Sequence, residues 1–215
     1  MGAIARSAAN NITTSGVFTS NAITNSSVTG ITVLANASDG ITLISSQTAS
    51  ASASISFTTG IDSTYKAYKF VFVNIHPASS ATFDFNLSTD SGSNYNVTKT
   101  STFFTAQHNE NGTFAQIDYE TGADLAQSTS FQNLCRTYSA DADSGLSGSL
   151  ILFNPSSTTY VKHFIARTSS FNTIVRIEDS SIAGYGNTTS AINAIQFKMS
   201  SGNIDAGTIY MYGIK

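Results

Sequence analysis

Phe83, Phe85 and Leu87 alternate with Asp84, Asn86 and Ser88, and this strict period of two is the pattern of a strand with one face buried. The pattern recurs along the chain. Phe70, Phe72 and Asn74 interleave with Val71, Val73 and Ile75, an apolar run suited to a strand covered on both faces. Leu150–Phe153, Val161–Ala166 and Thr173–Ile177 continue the series, followed by Ile192, Ile195, Phe197 and Met199. In a last run, Gly207–Ile214, the residues Ile209, Met211 and Gly213 alternate with Tyr210 and Tyr212. Turn formers separate the runs: Asp90-Ser-Gly92, Asn111-Gly112, Asn154-Pro155 and Ser201-Gly-Asn203. About eight to ten short strands without a helical period predict an all-β chain, an antiparallel jelly-roll-type β-sandwich over residues 51–215. A barrel is the second choice, and any helix is a single turn near Asp124–Ser128.

Composition strengthens this and removes several function classes. More than a third of the 215 residues are Ser, Thr or Asn, and only 11% are charged. Ser and Asn side chains compete for backbone hydrogen bonds inside helices, which argues against a coiled coil or helical bundle. The net charge is −3, and no basic cluster exceeds Lys66 with Lys69, so a nucleic-acid partner is not expected. One cysteine, Cys135, allows neither an internal disulfide nor a cysteine-based zinc site. No apolar run approaches 18 residues, so membrane insertion is not expected. After Arg6, Ser, Asn and Thr stand where a secretory signal would be apolar.

Charge is also unevenly spread. Between Arg6 and Asp62 the only charged residue is Asp39. An uncharged polar stretch of this length suits an extended, β-rich N-terminal arm lying on another surface. The run around Gln47–Ser54 reads as its linker, dividing an arm at 1–50 from the sandwich at 51–215. Within the arm, Gly30-Ile-Thr-Val-Leu34 recurs as Gly40-Ile-Thr-Leu-Ile44, with a weaker echo at Gly16-Val-Phe-Thr19. Val17, Phe18, Ile31, Val33, Leu34, Ile41, Leu43 and Ile44 are its candidate contacts with neighbouring chains, because apolar strand edges without Lys or Glu need covering.

Residues with chemical capacity are scattered. His76, His108 and His163 share no ligand spacing, and no G-x-S-x-G elbow is present. Asp118 with Glu120, and Asp141 with Asp143, are the nearest carboxylate pairs, and they lack the oxygen-rich pattern of a calcium loop. No catalytic residue, cofactor or metal site is assigned. Tyr138, Phe171, Tyr185, Tyr210 and Tyr212 are candidate stacking surfaces for a glycan, although aromatic residues on strands mostly pack in the core or against each other. Ser88-Thr-Asp90-Ser-Gly92-Ser-Asn94-Tyr95 resembles the Asp-box, a turn found on β-hairpins of many β proteins. Asp90 is placed to accept turn amides, Gly92 to supply a positive φ, and Tyr95 to pack back onto the sheet. A single copy is a folding device.

The chain from Leu43 onward is similar to a set of virion proteins of marine tailed phages, cyanophages in particular. Thr42–Thr48, Phe57–Asp62, Tyr68–Val73, Ser88–Tyr95 and Leu152–Ser157 carry the resemblance. The closing Ser200-Ser-Gly-Asn-Ile-Asp-Ala-Gly-Thr-Ile-Tyr-Met-Tyr-Gly213 is its most distinctive part. The resemblance implies a structural component on the phage particle surface, made in the bacterial host cytoplasm, and brings no catalytic residues. It suggests a homotrimer contacting phage capsid or tail proteins. The first expectation is therefore a non-enzymatic capsid decoration or cement protein anchored by its arm. A tail-fibre receptor-binding domain for a host glycan is the alternative, and an enzyme ranks third.

Overall fold

A computed structural model describes residues 40–215, and every regular element among them is a strand. In chain order these are β1 Ile41–Thr48, β2 Ile55–Phe57, β3 Ala67–Pro77, β4 Phe83–Ser88, β5 Lys99–Asn109 and β6 Ala115–Tyr119. Then follow β7 Gln132–Asn133, β8 Leu146–Phe153, β9 Lys162–Phe171, β10 Arg176–Gly186, β11 Ala194–Met199 and β12 Ile204–Ile214. They form an eight-stranded sheet, β1-β12-β3-β8-β9-β10-β5-β6, and a four-stranded sheet, β2-β11-β4-β7. Every pairing is antiparallel. What this establishes is an all-β, two-layer sandwich; twelve strands divided eight and four form a larger arrangement than the eight strands of a jelly roll.

Phenylalanines join the layers. Phe197 of β11 meets Phe70 and Phe72 of the opposite sheet at 5.5 and 5.3 Å between ring centroids. It also contacts Phe57, Phe83 and Phe85 within its own sheet. Phe85 in turn sits edge-on to Phe164 of β9 at 5.1 Å. Each such ring contributes on the order of 1.5–3 kcal/mol by leaving water.

The smaller sheet covers only part of the larger one. Over β10 and β5 the inner face turns largely polar beyond Phe103 and Ile182, with Thr105, Gln107, Glu178 and Ser180 all buried. Chain between β6 and β8 helps close this region: Gln132 accepts from Ser101, and the Leu134 carbonyl accepts from Thr168.

Several expectations need correcting. β4 is buried on both faces rather than one. Asp84 accepts from Thr82 and Asn133, both at 2.7 Å, and Asn86 donates to the Tyr95 and Thr129 carbonyls. β3 is covered on one face only, since Val71 and Val73 point outward. Asn74, at φ 50°, sits where the β3–β8 register slips, so Phe70, Phe72 and Ile75 all face inward. Thr173–Val175 is the turn before β10, not part of a strand. No helix occurs among the described residues, so none there crosses a membrane; near the expected helical turn, Ser128 pairs with Lys99 instead.

The division of the chain also falls elsewhere. Ile41, Leu43 and Ile44 belong to β1, which pairs with β12 from Ile41↔Ile214 to Thr48↔Thr208. The stretch read as a linker extends this pairing, with Ala49, Ala51 and Ser52 donating to the carbonyls of Gly207, Asp205 and Ile204. The compact unit therefore begins at Gly40. Val17, Phe18, Ile31, Val33 and Leu34 lie outside the described residues.

Candidate functional site

The Ser88–Tyr95 turn has the hydrogen bonds its sequence calls for. Ser88 Oγ donates to Asp90 Oδ1 at 2.6 Å and accepts the amides of Asp90 and Gly92. Asp90 Oδ1 accepts the Asn94 amide at 2.9 Å, and Oδ2 accepts Asn94 Nδ2 at 2.7 Å. These donors favour the ionised carboxylate and hold the Asp90 pKa down at about 2. Gly92 has φ 88°, and the Tyr95 ring lies over it. The turn is not a hairpin, however. It passes from β4 in the smaller sheet to β5 in the larger, so it links the layers.

The scattered residues remain mostly apart. His76 approaches Asp205 at 3.7 Å through Nδ1, and its Nε2 meets the Asp141 carbonyl at 3.1 Å. Asn74, His76, Asp143 and Asp205 line a broad groove beside the irregular ends of β3 and β12. Glu120 is held by Arg136 and Thr105, while Asp118 accepts from Gln116. No cluster of three or more potential metal ligands exists among the described residues.

The aromatic candidates divide by sheet face. Tyr138 is fully buried and donates to the Ile75 carbonyl at 3.1 Å, so it is a core residue. Tyr210 and Tyr212 lie on the outer face of the larger sheet, 6.4 Å apart. Tyr185 and His163 share that face, beside Ile165 and Phe153 around a shallow apolar depression. Charge on this face is sparse; Arg167 and Asp179 neutralise each other through bonds of 2.5 and 2.9 Å.

Three functional candidates escaped sequence reasoning: the buried Lys99, Lys162 and Glu178. No local spacing marks them, because their burial comes from strands distant in sequence. No known protein family, curated protein or solved structure matches this chain.

Proposed function

We propose that the chain is a non-enzymatic virion structural protein of a tailed phage, decorating or cementing the capsid as a homotrimer and attached through its N-terminal segment. The observation that carries this reading is β1. Among the described residues it is an edge strand, contains no charged residue, exposes Ile41 and Leu43, and begins two residues after Asp39, the only charged residue between Arg6 and Asp62. An edge without charged guards is suited to strand addition by a neighbouring chain. The weakly charged outer face of the larger sheet adds area that is cheap to desolvate.

Deleting residues 1–39 tests this reading. The shortened chain folds with the same strand content but no longer binds phage particles. Undiminished binding would refute anchoring by this segment. Quantifying the protein against the major capsid protein separates the positions: hundreds of copies per particle indicate decoration, and tens or fewer a tail fibre.

The half-buried, outward Tyr210–Tyr212 pair supports a second reading, a tail-fibre domain recognising a host glycan, since outward aromatic faces suit stacking on sugars. Adsorption of the purified protein to host cells, abolished when both tyrosines become serine, is its expected signature.

A further inference from the structure

An antiparallel sheet with one face on the core normally turns polar side chains to water on the other. At its β6 end the larger sheet does the reverse. Ile117 and Tyr119 stand opposite Ala106 and Phe104 on the outer face, while Gln116 and Asp118 share the inner side with Gln107 and Thr105. Ile117 is 75% exposed. A strand built this way has its apolar side toward water, and an outer layer would correct that.

The same surplus extends across the sheet. Twelve large apolar side chains are exposed among the described residues. All but Tyr160, Ile174 and Val175, which lie in connections, project from this one face. Phe153 and Ile165 continue it through the middle, where the only ion pair, Arg167 with Asp179, is self-neutralising. At the far end Ile41 and Leu43 of β1 join the half-buried tyrosines of β12, with Leu43 directly opposite Tyr212. Exposed apolar surface of this extent marks an interaction site.

The two ends differ in charge, and this selects the partner. Tyr119 Oη donates to Asp124 at 2.7 Å, which sets a carboxylate beside the β6 end. Lys69 stands in register with Tyr212 at the β1 end. Two copies of one end would bring like charges together, whereas the unlike ends are complementary. Size fits the same partner. Eight strands about 4.8 Å apart and about 30 Å long make a face on the order of 1,000 Å². Half of it given to each of two neighbours makes each contact about 1,000 Å² counting both partners, just under the roughly 1,200 Å² of stable interfaces.

We infer that the outer face of the larger sheet is a head-to-tail self-association surface, on which the β5–β6 end of one copy packs against the β1–β12 end of the next. A contact between unlike patches closes into a ring when its rotation permits. The inference rests on the proposed function only for the number of copies in that ring, three. With so small an area the contact is reversible in free solution, and it fills where copies are held side by side on a particle.

The test is sedimentation equilibrium of the full chain. The wild type is monomeric near 1 µM and associates with a Kd of about 10–500 µM. Ile117→Asp at one end and Leu43→Asp at the other each weaken self-association about tenfold or more. Mixed in equal amounts, the two variants form a one-to-one pair, because the first keeps an intact β1 end and the second an intact β6 end. If Leu43→Asp does not fold, Ile41→Asp at the first residue of β1 takes its place. A wild type that stays monomeric to about 1 mM would overturn the inference. So would a mixture that stays monomeric, and association unchanged by both substitutions would assign self-contact to residues 1–39 instead. Particle binding is read separately. A monomeric wild type that binds phage refutes the inference and leaves the anchoring, and a self-associating one that does not bind phage refutes the anchoring and leaves the inference.

Discussion

Lys99 and Lys162 flank Gly186 in one row of the larger sheet, each fully buried and each hydrogen-bonded only to neutral oxygens. Lys99 Nζ donates to Asn86 Oδ1 at 2.5 Å and to the Val97 carbonyl at 2.8 Å. Lys162 Nζ donates to the carbonyls of Tyr160 and Thr188. Gly186 between them admits Val97, which would lie only 3.0 Å from an added Cβ.

Burial without a counter-ion pushes the Lys99 pKa down to about 7 and lowers that of Lys162. Between pH 7 and about 10.4, the unfolded chain therefore holds a proton at Lys99 that the folded chain has released. Stability rises with pH through this window, by at most about 1.4 kcal/mol per unit for this one group. Urea unfolding of the wild type at pH 7 and pH 9 should show the higher midpoint at pH 9. Lys99→Met should be more stable at pH 7 and show a smaller increase; an identical pH slope in this variant would contradict the account.

The Asp90 turn has the opposite sign. Because the folded carboxylate has its pKa held at about 2, it favours folding above the unfolded value near 3.9, and this contribution disappears as pH falls to about 2. Asp90→Ala should have a lower Tm than the wild type at pH 7 and nearly the same Tm at pH 2. An undiminished difference at pH 2 would mean that the carboxylate's charge is not what orders the turn.

Gly92 in the same turn tolerates no side chain. A Cβ there would meet Tyr95 Oη at 2.7 Å and Thr58 Cγ2 at 2.8 Å, at a φ of 88° that L-residues rarely adopt. Gly92→Ala should cost about 1 kcal/mol or more by denaturant unfolding. Gly122→Ala, with nothing within 4 Å of the added carbon, should cost much less.

What the sequence made legible depended on where the partners lie. Phe83, Phe85 and Leu87 announce β4 because the apolar alternation is local. The covering of Asp84 and Asn86 comes from Asn133, Thr129 and Lys99, so no local pattern reveals it. β5 and most of β10 show no apolar alternation because, apart from Phe103 and Ile182, their inner faces carry residues such as Thr105, Gln107, Glu178 and Ser180. The β-branched run Thr173-Ile-Val175 imitates a strand, but Asn172 folds it into a turn. Likewise, the Ser88–Tyr95 spacing encodes its own hydrogen bonds but not whether the flanking strands pair. The missing charge in β1 made it resemble an arm, although its partner β12 is itself charged only at Asp205.

Phe197 is the ring on which the two layers converge. Phe197→Ala removes contacts with five phenylalanines from both sheets and should cost about 3–5 kcal/mol. Phe104→Ala removes a ring of the same size from the outer face, where it is 47% exposed, and should change stability little. Comparable losses in the two variants would mean that the outer face is also packed in solution, as in a stable oligomer.

Cys135 reports the opening of the same core. The thiol is fully buried, its sulfur accepts the Phe83 amide at 3.3 Å, and burial raises its pKa well above the ordinary thiol range. The thiolate is the reactive form, so the folded protein has almost none to offer and no route for a reagent to reach it. Reaction with a disulfide reagent at pH 8 should be negligible in the native state and rapid in denaturant. Because Leu134 and Tyr138 beside it in sequence are buried too, exposing the sulfur requires separating the layers. The labelling rate should therefore track global stability, rising about tenfold for each 1.4 kcal/mol lost in variants such as Phe197→Ala when refolding outpaces the chemistry. Fast labelling of the wild type with no dependence on core stability would instead place a local opening at Cys135.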